Sequence, residues 1–363
     1  MRVSRRQFLG ACGAAGLTLG FRVESAAAVD EPAESFAPNA YLRIAPDETV
    51  TIWATKLEMG QGVRTLLPMI LADELGADWA KVQVEQAWPG GPFKGIELHT
   101  SGSSSVADSW EPLRQAGAAA REMLVAAAAQ LWRVAPATCR VRQGVVSHPP
   151  TNRALSFGKL AARAGRMPVP AKPRLKTPEE FTLIGRPTRR VDGPAIVTGR
   201  ARYGLDVKLP GMLYASIERA PTLSGRLVRF DDRAALRVPG VRAVRAVTAG
   251  GHPGVAVLAD DTWSAMQGRA ALSIEWAPGP ASQFDSERFL ADLPAALATH
   301  RYPVRREGDA ERVVGAAAKR VTATYTFPFQ AHAPLETQNC TAHVLADRAE
   351  IWVPTQTDVR TLA

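Results

Sequence analysis

Glu58-Met59-Gly60-Gln61-Gly62-Val63-Arg64-Thr65 follows an extended apolar run, Val50-Thr51-Ile52-Trp53-Ala54-Thr55, and leads into a helical run, Leu66 to Leu75. A strand, two glycines around a glutamine and then a helix make a strand–turn–helix junction. Glycine lets backbone N–H groups come close to a ligand, and the helix start adds unpaired N–H groups and a partial positive charge. Such a junction suits an anionic group, usually a phosphate. Taken alone, the stretch reads first as a tight turn that needs glycine.

The helix after the junction carries Val63, Leu66, Leu67, Ile70, Leu71 and Leu75 at i, i+3, i+4 spacing, with Gly76 as its stop. Pro68 predicts that Thr65 is the cap, which places the proline in the first turn where its missing N–H is harmless. The charges run against the helix dipole: Arg64 is near the start, Asp73 and Glu74 near the end. An anion bound at the start would compensate for Arg64.

Upstream, residues 29–40 read as a flexible lead. Tyr41 to Ile44 and Thr49 to Ala54 read as strands joined by Pro46-Asp47-Glu48. Downstream, Lys81 to Ala87 alternates as a strand, and the Gly- and Pro-rich Trp88 to His99 reads as a loop. Thr100-Ser101-Gly102-Ser103-Ser104-Ser105 then precedes a long helix to about Trp132, with Asp108 or Ser109 as cap and Pro112 in its first turn. The serine cluster reads equally as phosphate-binding donors or as a solvated linker. Cys139 to Val146 reads as a hairpin turning at Gln143-Gly144, and Leu155 to Gly165 as a brief helix. Residues 166–180 are rich in Pro and Lys without periodicity and mark a boundary.

From Gly185 the texture changes. Strand-like Ser216 to Arg219, a helix–turn–strand over Ala234 to Val247, a strand Val255 to Ala259, a helix Thr262 to Ala271 and a strand Leu272 to Trp276 make a small α+β domain. Residues 278–312 read as an irregular, partly helical connection. Val321 to Phe327, Cys340 to Leu345 and Ala349 to Val353 read as strands.

Ser4-Arg5-Arg6-Gln7-Phe8-Leu9 opens the chain, followed by an apolar stretch to Phe21 and the small residues Ser25-Ala26-Ala27-Ala28. This is the layout of a twin-arginine (Tat) export signal cleaved after Ala28, and it predicts a periplasmic protein exported folded. The formal charge is +9; removing residues 1–28 takes away four arginines and one glutamate and leaves +6. The charge is interspersed, which argues against nucleic-acid binding. Outside the leader only Cys139 and Cys340 remain, in no CxxC pair, so no iron–sulfur cluster or zinc site can be built within one chain.

In their order, these segments resemble the molybdenum-binding subunit of the xanthine oxidase/aldehyde oxidase family, isoquinoline 1-oxidoreductase beta-subunit type. Glu58-Met59-Gly60-Gln61-Gly62 is similar to the family's pterin-binding Gly-Gln-Gly junction, and Ser103, Ser104 and Ser105 to a hydroxyl cluster on the cofactor's phosphate side. Residues 185–277, with Thr198-Gly199 and Leu209-Pro210-Gly211-Met212-Leu213-Tyr214-Ala215, resemble the hammerhead domain. His332-Ala333-Pro334-Leu335-Glu336-Thr337 and Val353-Pro354-Thr355-Gln356 resemble the opening of the first cofactor domain. Gln356 falls where the family places a glutamine bonded to a molybdenum oxo ligand.

The resemblance implies an α+β chain with these parts: a leader 1–28, a cofactor-domain piece 41–165, a linker 166–184, the hammerhead 185–277, and the start of a molybdopterin-binding domain at 278–363. It implies a molybdopterin cofactor in the cytosine dinucleotide form and hydroxylation of an aldehyde or N-heterocyclic aromatic with oxygen from water. Electrons would leave through a separate small [2Fe–2S] ferredoxin-like subunit, with a cytochrome c as a further acceptor. The family's Gly-Gly-Phe-Gly-type segment and general-base glutamate do not occur before Ala363. The expectation is therefore an N-terminal portion, with an inactive exported fragment or structural partner as the alternative. Glu58 and Glu336 are read as a turn-flanking acceptor and a surface acid rather than that base, and His332 as a hydrogen-bonded structural histidine.

Overall fold

The computed structural model describes residues 36–357, apart from 95, 97, 300, 301, 303, 304 and 306. The twin-arginine leader expected at 1–28 lies outside the described residues. The chain divides into two units, one running up to Val207 and resuming at Glu336, the other Lys208–Leu335. The Pro- and Lys-rich stretch 166–180, read from composition as a boundary, lies inside the first unit.

In the first unit, β1 (Phe36–Asn39), β2 (Leu42–Ile44), β3 (Val50–Ala54) and β4 (Val82–Gln86) form one sheet in that order. β1 corrects the flexible lead expected there: it pairs antiparallel with β2, Phe36 opposite Ile44. β3 and β4 are parallel, Val50 opposite Val82 through Ala54 opposite Gln86. Parallel strands need a crossover, and helix α1 (Val63–Leu75) supplies it. Val50, Thr51, Ile52 and Ala54 are all buried, as a strand covered on both faces requires.

Helix α1 starts three residues before the sequence placed it. Its N-cap is Gly62, not Thr65, so Pro68 sits in the interior and removes one backbone hydrogen bond. Packing outweighs that loss. Leu67, Leu71 and Leu75 are at most 1% exposed, and each such side chain contributes about 1.5–3 kcal/mol by leaving water. Gly76 closes the helix in the left-handed conformation (φ 75°), as its position in the sequence predicts.

The long helix α2 (Ser105–Trp132) lies along α1. The two backbones come so close at Gly117 that a Cβ there would fall 2.5 Å from the Leu71 carbonyl oxygen. A three-stranded antiparallel sheet follows: β5 (Arg140–Arg142), β6 (Val145–His148) and β7 (Arg153–Ser156). Its first turn is Gln143-Gly144 with φ 46° and 74°, the two-residue turn read from the sequence. Helix α3 (Phe157–Ala164) then buries Phe157 and Leu160 in the core; the expected helix start at Leu155 is instead the end of β7.

Residues 174–184 are strapped to α1 and α2 by buried charge. The Asp73 carboxylate, fully buried, accepts from Lys176 Nζ at 2.7 Å and from the N–H groups of Thr182, Leu183 and Ile184 at 3.0, 2.8 and 2.9 Å. Its neighbour Glu74, equally buried, accepts from Arg114 Nε at 2.7 Å, Arg121 Nη1 at 3.1 Å and Lys176 N at 3.1 Å. Arg114 also lies 5.2 Å from the ring centroids of both Trp110 and Phe181. The two acids that oppose the dipole at the end of α1 are therefore answered by partners, which settles why they are tolerated. Past the strap come the short α4 (Gly193–Val197) and, after residue 335, the hairpin β13 (Thr341–Val344) and β14 (Ala349–Trp352).

The second unit holds an antiparallel sheet ordered β10 (Val241–Ala249), β11 (His252–Ala259), β8 (Tyr214–Arg219), and a pair formed by β9 (Arg226–Asp231) and β12 (Ser273–Ala277). Helix α5 (Thr262–Ala270), capped by Asp261 accepting from Ser264 N at 2.8 Å, packs on β8 and β11. Ala235, Val244, Val255 and Val257 form the core. Helices α6 (Ser286–Thr299) and α7 (Ala310–Ala316) follow. The strand expected at Val321 to Phe327 does not form: Val321, Tyr325 and Phe327 are each at least 78% exposed, and no sheet edge among the described residues pairs with them. Alternation alone cannot hold a strand whose backbone has no partner.

Candidate functional site

The head of α1 is built by three side chains of the junction and one from far along the chain. Gly60 and Gly62 have φ 107° and 89°, which L side chains rarely adopt, and open space lies where their Cβ atoms would be. Their turn points successive N–H groups inward, and the Glu58 carboxylate takes them. Its oxygens accept from Gly60 N at 2.9 Å, Gly62 N at 2.8 Å and Arg64 N at 3.0 Å. The junction is thus an anion seat, and the chain's own carboxylate fills it. Glu58 is the turn acceptor that the sequence predicts, and its carboxylate stands where the sequence also suits an external anion, satisfying the helix dipole.

Gln61 closes the turn from outside. Its Nε2 donates to the Leu57 carbonyl at 3.0 Å, and its Oε1 accepts from Met59 N at 2.7 Å. Arg190 reaches in from the segment just after the strap: Nη1 donates to the Gly60 carbonyl at 3.2 Å, and Nη2 lies 3.5 Å from Glu58 Oε1. A two-point bond to Asp192, at 2.9 and 2.7 Å, fixes the guanidinium. That hydrogen bond raises the Arg190 pKa and lowers that of Asp192, so both stay charged. Val191 N donates to Thr65 Oγ1 at 3.1 Å, so Thr65 anchors the segment after the strap rather than capping α1.

Thr100 ties this turn to the end of the described chain. Its hydroxyl accepts from Leu57 N at 2.8 Å and lies 3.2 Å from the Leu57 carbonyl, to which it can donate. Its backbone N–H donates to the Gln356 carbonyl at 2.9 Å, and Gln356 Nε2 donates to the Thr100 carbonyl at 3.0 Å. Thr100 is 4% exposed, Gln356 exposed.

The serine cluster starts α2 instead of preceding it. Gly102 and Ser103 take left-handed conformations (φ 63° and 55°), Ser104 is the N-cap residue and Ser105 the first helical one. Asp108, expected as a cap, lies one turn in, 2.5 Å from Ser104 Oγ. Pro112 is interior. The Ser104 side chain makes no capping bond, and the Asp108 carboxylate in the first turn bonds the Ser104 hydroxyl; among the described residues no carboxylate accepts from the first N–H groups of this helix, unlike that of α1.

The structure therefore brings Gly60, Gln61 and Gly62 to Gln356 through Thr100, with Ser103, Ser104 and Ser105 following Thr100 along the same segment. Glu336 accepts from Gly204 N at 3.3 Å and is half-buried. His332 is exposed and makes no hydrogen bond among the described residues, so the hydrogen-bonded structural role expected for it is not seen. Cys139 and Cys340 are free thiols, and burial raises the pKa of Cys139. Sequence reasoning missed Thr100 and the Arg190–Asp192 pair. The hydroxyl of Thr100 was visible in its segment; Arg190 lies 130 positions from Gly60 and carried no local signal.

A helix start without a side-chain cap, the serine hydroxyls beside it and a glutamine amide tied to the glycine turn through Thr100 are groups of the kind that a pterin's phosphate and polar edge require. Comparison with known proteins gives the family. Residues 10–196 match a family of molybdopterin cofactor-binding domains, and residues 294–362 match a second family of the same description. The chain is 31% identical to the beta subunit of isoquinoline 1-oxidoreductase from Brevundimonas diminuta, over 98% of this chain and 52% of that protein. It is 34% identical to a protein named membrane-bound aldehyde dehydrogenase [pyrroloquinoline-quinone] of Gluconacetobacter polyoxogenes, over 94% and 46%. It is 27% identical to a nicotinate dehydrogenase subunit of Pseudomonas putida, over 87% and 27%. The chain spans about half the length, or less, of these curated relatives.

Proposed function

Since the chain belongs to the molybdenum-binding subunits of the xanthine oxidase family, we propose that it forms the pterin-holding part of a molybdenum hydroxylase large subunit. The substrate class is an aldehyde or an N-heterocyclic aromatic. When bound, the cofactor supplies two-electron oxidation with oxygen derived from water. The chain's own residues hold and orient it. Ser103, Ser104 and Ser105 offer hydroxyls and the open start of α2 to phosphate, and Gly60 to Gly62 present a surface without side-chain bulk. Gln356, set by its two bonds to Thr100, offers its amide to the metal's ligand sphere.

The observation that carries this reading is the Thr100 link, which sets Gln356 beside a junction some 300 positions earlier in the chain. The Glu58 carboxylate in the seat of α1 moves the phosphate role to the serine segment. In the same reading the cofactor is the cytosine dinucleotide form, and residues 185–277 are the hammerhead. Because Cys139 and Cys340 cannot ligate a cluster, electrons leave through a separate [2Fe–2S] ferredoxin-like subunit, with a cytochrome c as acceptor beyond it. The leader at 1–28 sends the loaded protein folded to the periplasm.

Molybdenum and pterin analysis of protein produced with its maturation factors tests the reading. Gln61→Ala opens the outside of the turn while leaving Glu58 in its seat, so cofactor content should fall several-fold with little loss of soluble protein. Protein free of metal and pterin under those conditions would favour an inactive exported partner.

A further inference from the structure

A second cleft opens beside the head of α1, at the carboxyl ends of the parallel strands β3 and β4. Its volume is about 490 Å³, within the usual range for small-molecule sites. Ligands of α/β sheets gather at this end of parallel strands. Trp53, Trp88 and Phe93 form apolar walls; Arg64, Glu85 and Gln86 are the polar residues among them.

One wall is preset. The Trp53 indole N–H donates to Glu85 Oε2 at 3.1 Å, the Arg43 guanidinium lies 5.8 Å from its ring centroid, and the Phe93 ring lies 6.1 Å away at a tilt of 57°. The second indole of the lining, Trp88, is 70% exposed. Arg64 is under-used. Its Nη2 reaches only the Val84 carbonyl at 3.4 Å, and its Nε is buried with no acceptor. Arg114, Arg121 and Arg190 each hold a carboxylate, whereas Arg64 makes no ion pair among the described residues. Asp192 feels the Arg64 charge, but its oxygens are taken by Arg190. The seat of α1 cannot answer Arg64 either, because Glu58 there is committed to three N–H groups. A cation lacking its anion, beside fixed and exposed indoles, recognises one chemistry: a flat ring for the indoles and an anionic oxygen for the guanidinium.

We propose that this cleft binds a planar aromatic anion, its ring against Trp88 and Trp53 and its carboxylate or phosphate on Arg64. The cleft adjoins the pterin junction and takes the Arg64 side chain from it, but its aromatic walls lie on β3 and the loop after β4, and the proposal does not rest on the pterin reading.

Isothermal titration calorimetry of the purified chain tests this, with quinoline-2-carboxylate and cytidine 5′-monophosphate as the two anionic probes and neutral quinoline as control. Saturable binding of at least one anion at one site per chain is expected. Trp88→Ala, on an exposed loop side chain, should weaken it roughly tenfold. Arg64→Gln should weaken the anion to the level of quinoline and leave quinoline unchanged. Tighter binding of the nucleotide assigns the cleft to a phosphate-bearing ligand, tighter binding of the acid to an aromatic carboxylate. No saturation by either anion, quinoline binding as tightly as its carboxylate, or affinity that survives either substitution would overturn the proposal. The titration needs neither molybdenum nor pterin, so its failure and that of the pterin reading are told apart.

Discussion

Thr100 and Gln356 are bonded in both directions: the Thr100 N–H donates to the Gln356 carbonyl at 2.9 Å, and the Gln356 side-chain amide donates to the Thr100 carbonyl at 3.0 Å. The Thr100 hydroxyl meanwhile serves both backbone groups of Leu57. One residue thus sets the distance between the glycine turn and a glutamine whose amide is aimed by the chain's own backbone.

Substitutions at the two residues should separate structure from cofactor binding. Thr100→Val keeps shape but leaves the half-buried Leu57 N–H unpaired, at about 1 kcal/mol of stability. Gln356→Ala removes one bond from an exposed side chain and should leave the melting temperature nearly unchanged. In the pterin reading, Gln356→Ala still alters the metal's visible spectrum or its retention. Thermal denaturation alongside metal analysis distinguishes the two; a Gln356→Ala protein with wild-type metal content and spectrum would remove the role assigned to Gln356.

Glu58 fills the anion seat of α1, so emptying the seat should create an ion site. Glu58→Ala frees three N–H groups and should cost about 1–2 kcal/mol, the usual loss for a helix cap. Added phosphate should then restore part of the melting temperature of the variant, at concentrations that leave the wild type unmoved. Equal response of both proteins would show that the carboxylate does not occupy the seat in solution.

The elements around this seat were legible because their signals are local. The alternation of β3, the i, i+3, i+4 stripe of α1 and the Gln143-Gly144 turn each lie within a dozen residues. Helix starts were less so. Both prolines, Pro68 and Pro112, argued for later starts, yet packing keeps them inside α1 and α2. The inverted charges of α1 were visible, but not their answer: Lys176 and Thr182 lie 103 and 109 positions from Asp73. The pattern at Val321 to Phe327 shows the converse limit, since a strand period says nothing about whether a partner edge exists. In the site, residue types pointed to the glycine turn, the serines and Gln356; the geometry that makes Glu58 an internal anion depends on two left-handed glycines that composition cannot place.

Gly117 sets how closely α1 and α2 approach. A methyl group there would press on the Leu71 carbonyl at 2.5 Å and on Glu74 Cβ at 2.9 Å, both backbone-fixed positions near the buried charges. Gly117→Ala raises helix propensity by about 1 kcal/mol. Overpacking should outweigh that gain, with a net loss of about 1–3 kcal/mol in chemical denaturation. A stabilised Gly117→Ala protein would mean the helices separate at little cost.

Acid should release the strap before it unfolds the helices. Burial opposes ionisation of Asp73, but the Lys176 ammonium and the N–H groups of Ile184 and Leu183 outweigh it, and its pKa lies below the ordinary carboxylate value. A depressed folded pKa means stability that is full above the unfolded value, near 4, and lost as pH falls through the folded one. The exposed Arg174–Glu180 pair on the same strap, with Glu180 held down to about 2, contributes little because water screens it. Asp73 therefore decides. Amide exchange at Thr182, Leu183 and Ile184 should accelerate below about pH 4 while exchange in α1 stays slow. Asp73→Asn, which leaves Lys176 without its charge partner, should bring the same release at neutral pH at about 3–5 kcal/mol. If the three amides stay protected in acid and in the variant, the strap is held by apolar packing and not by Asp73.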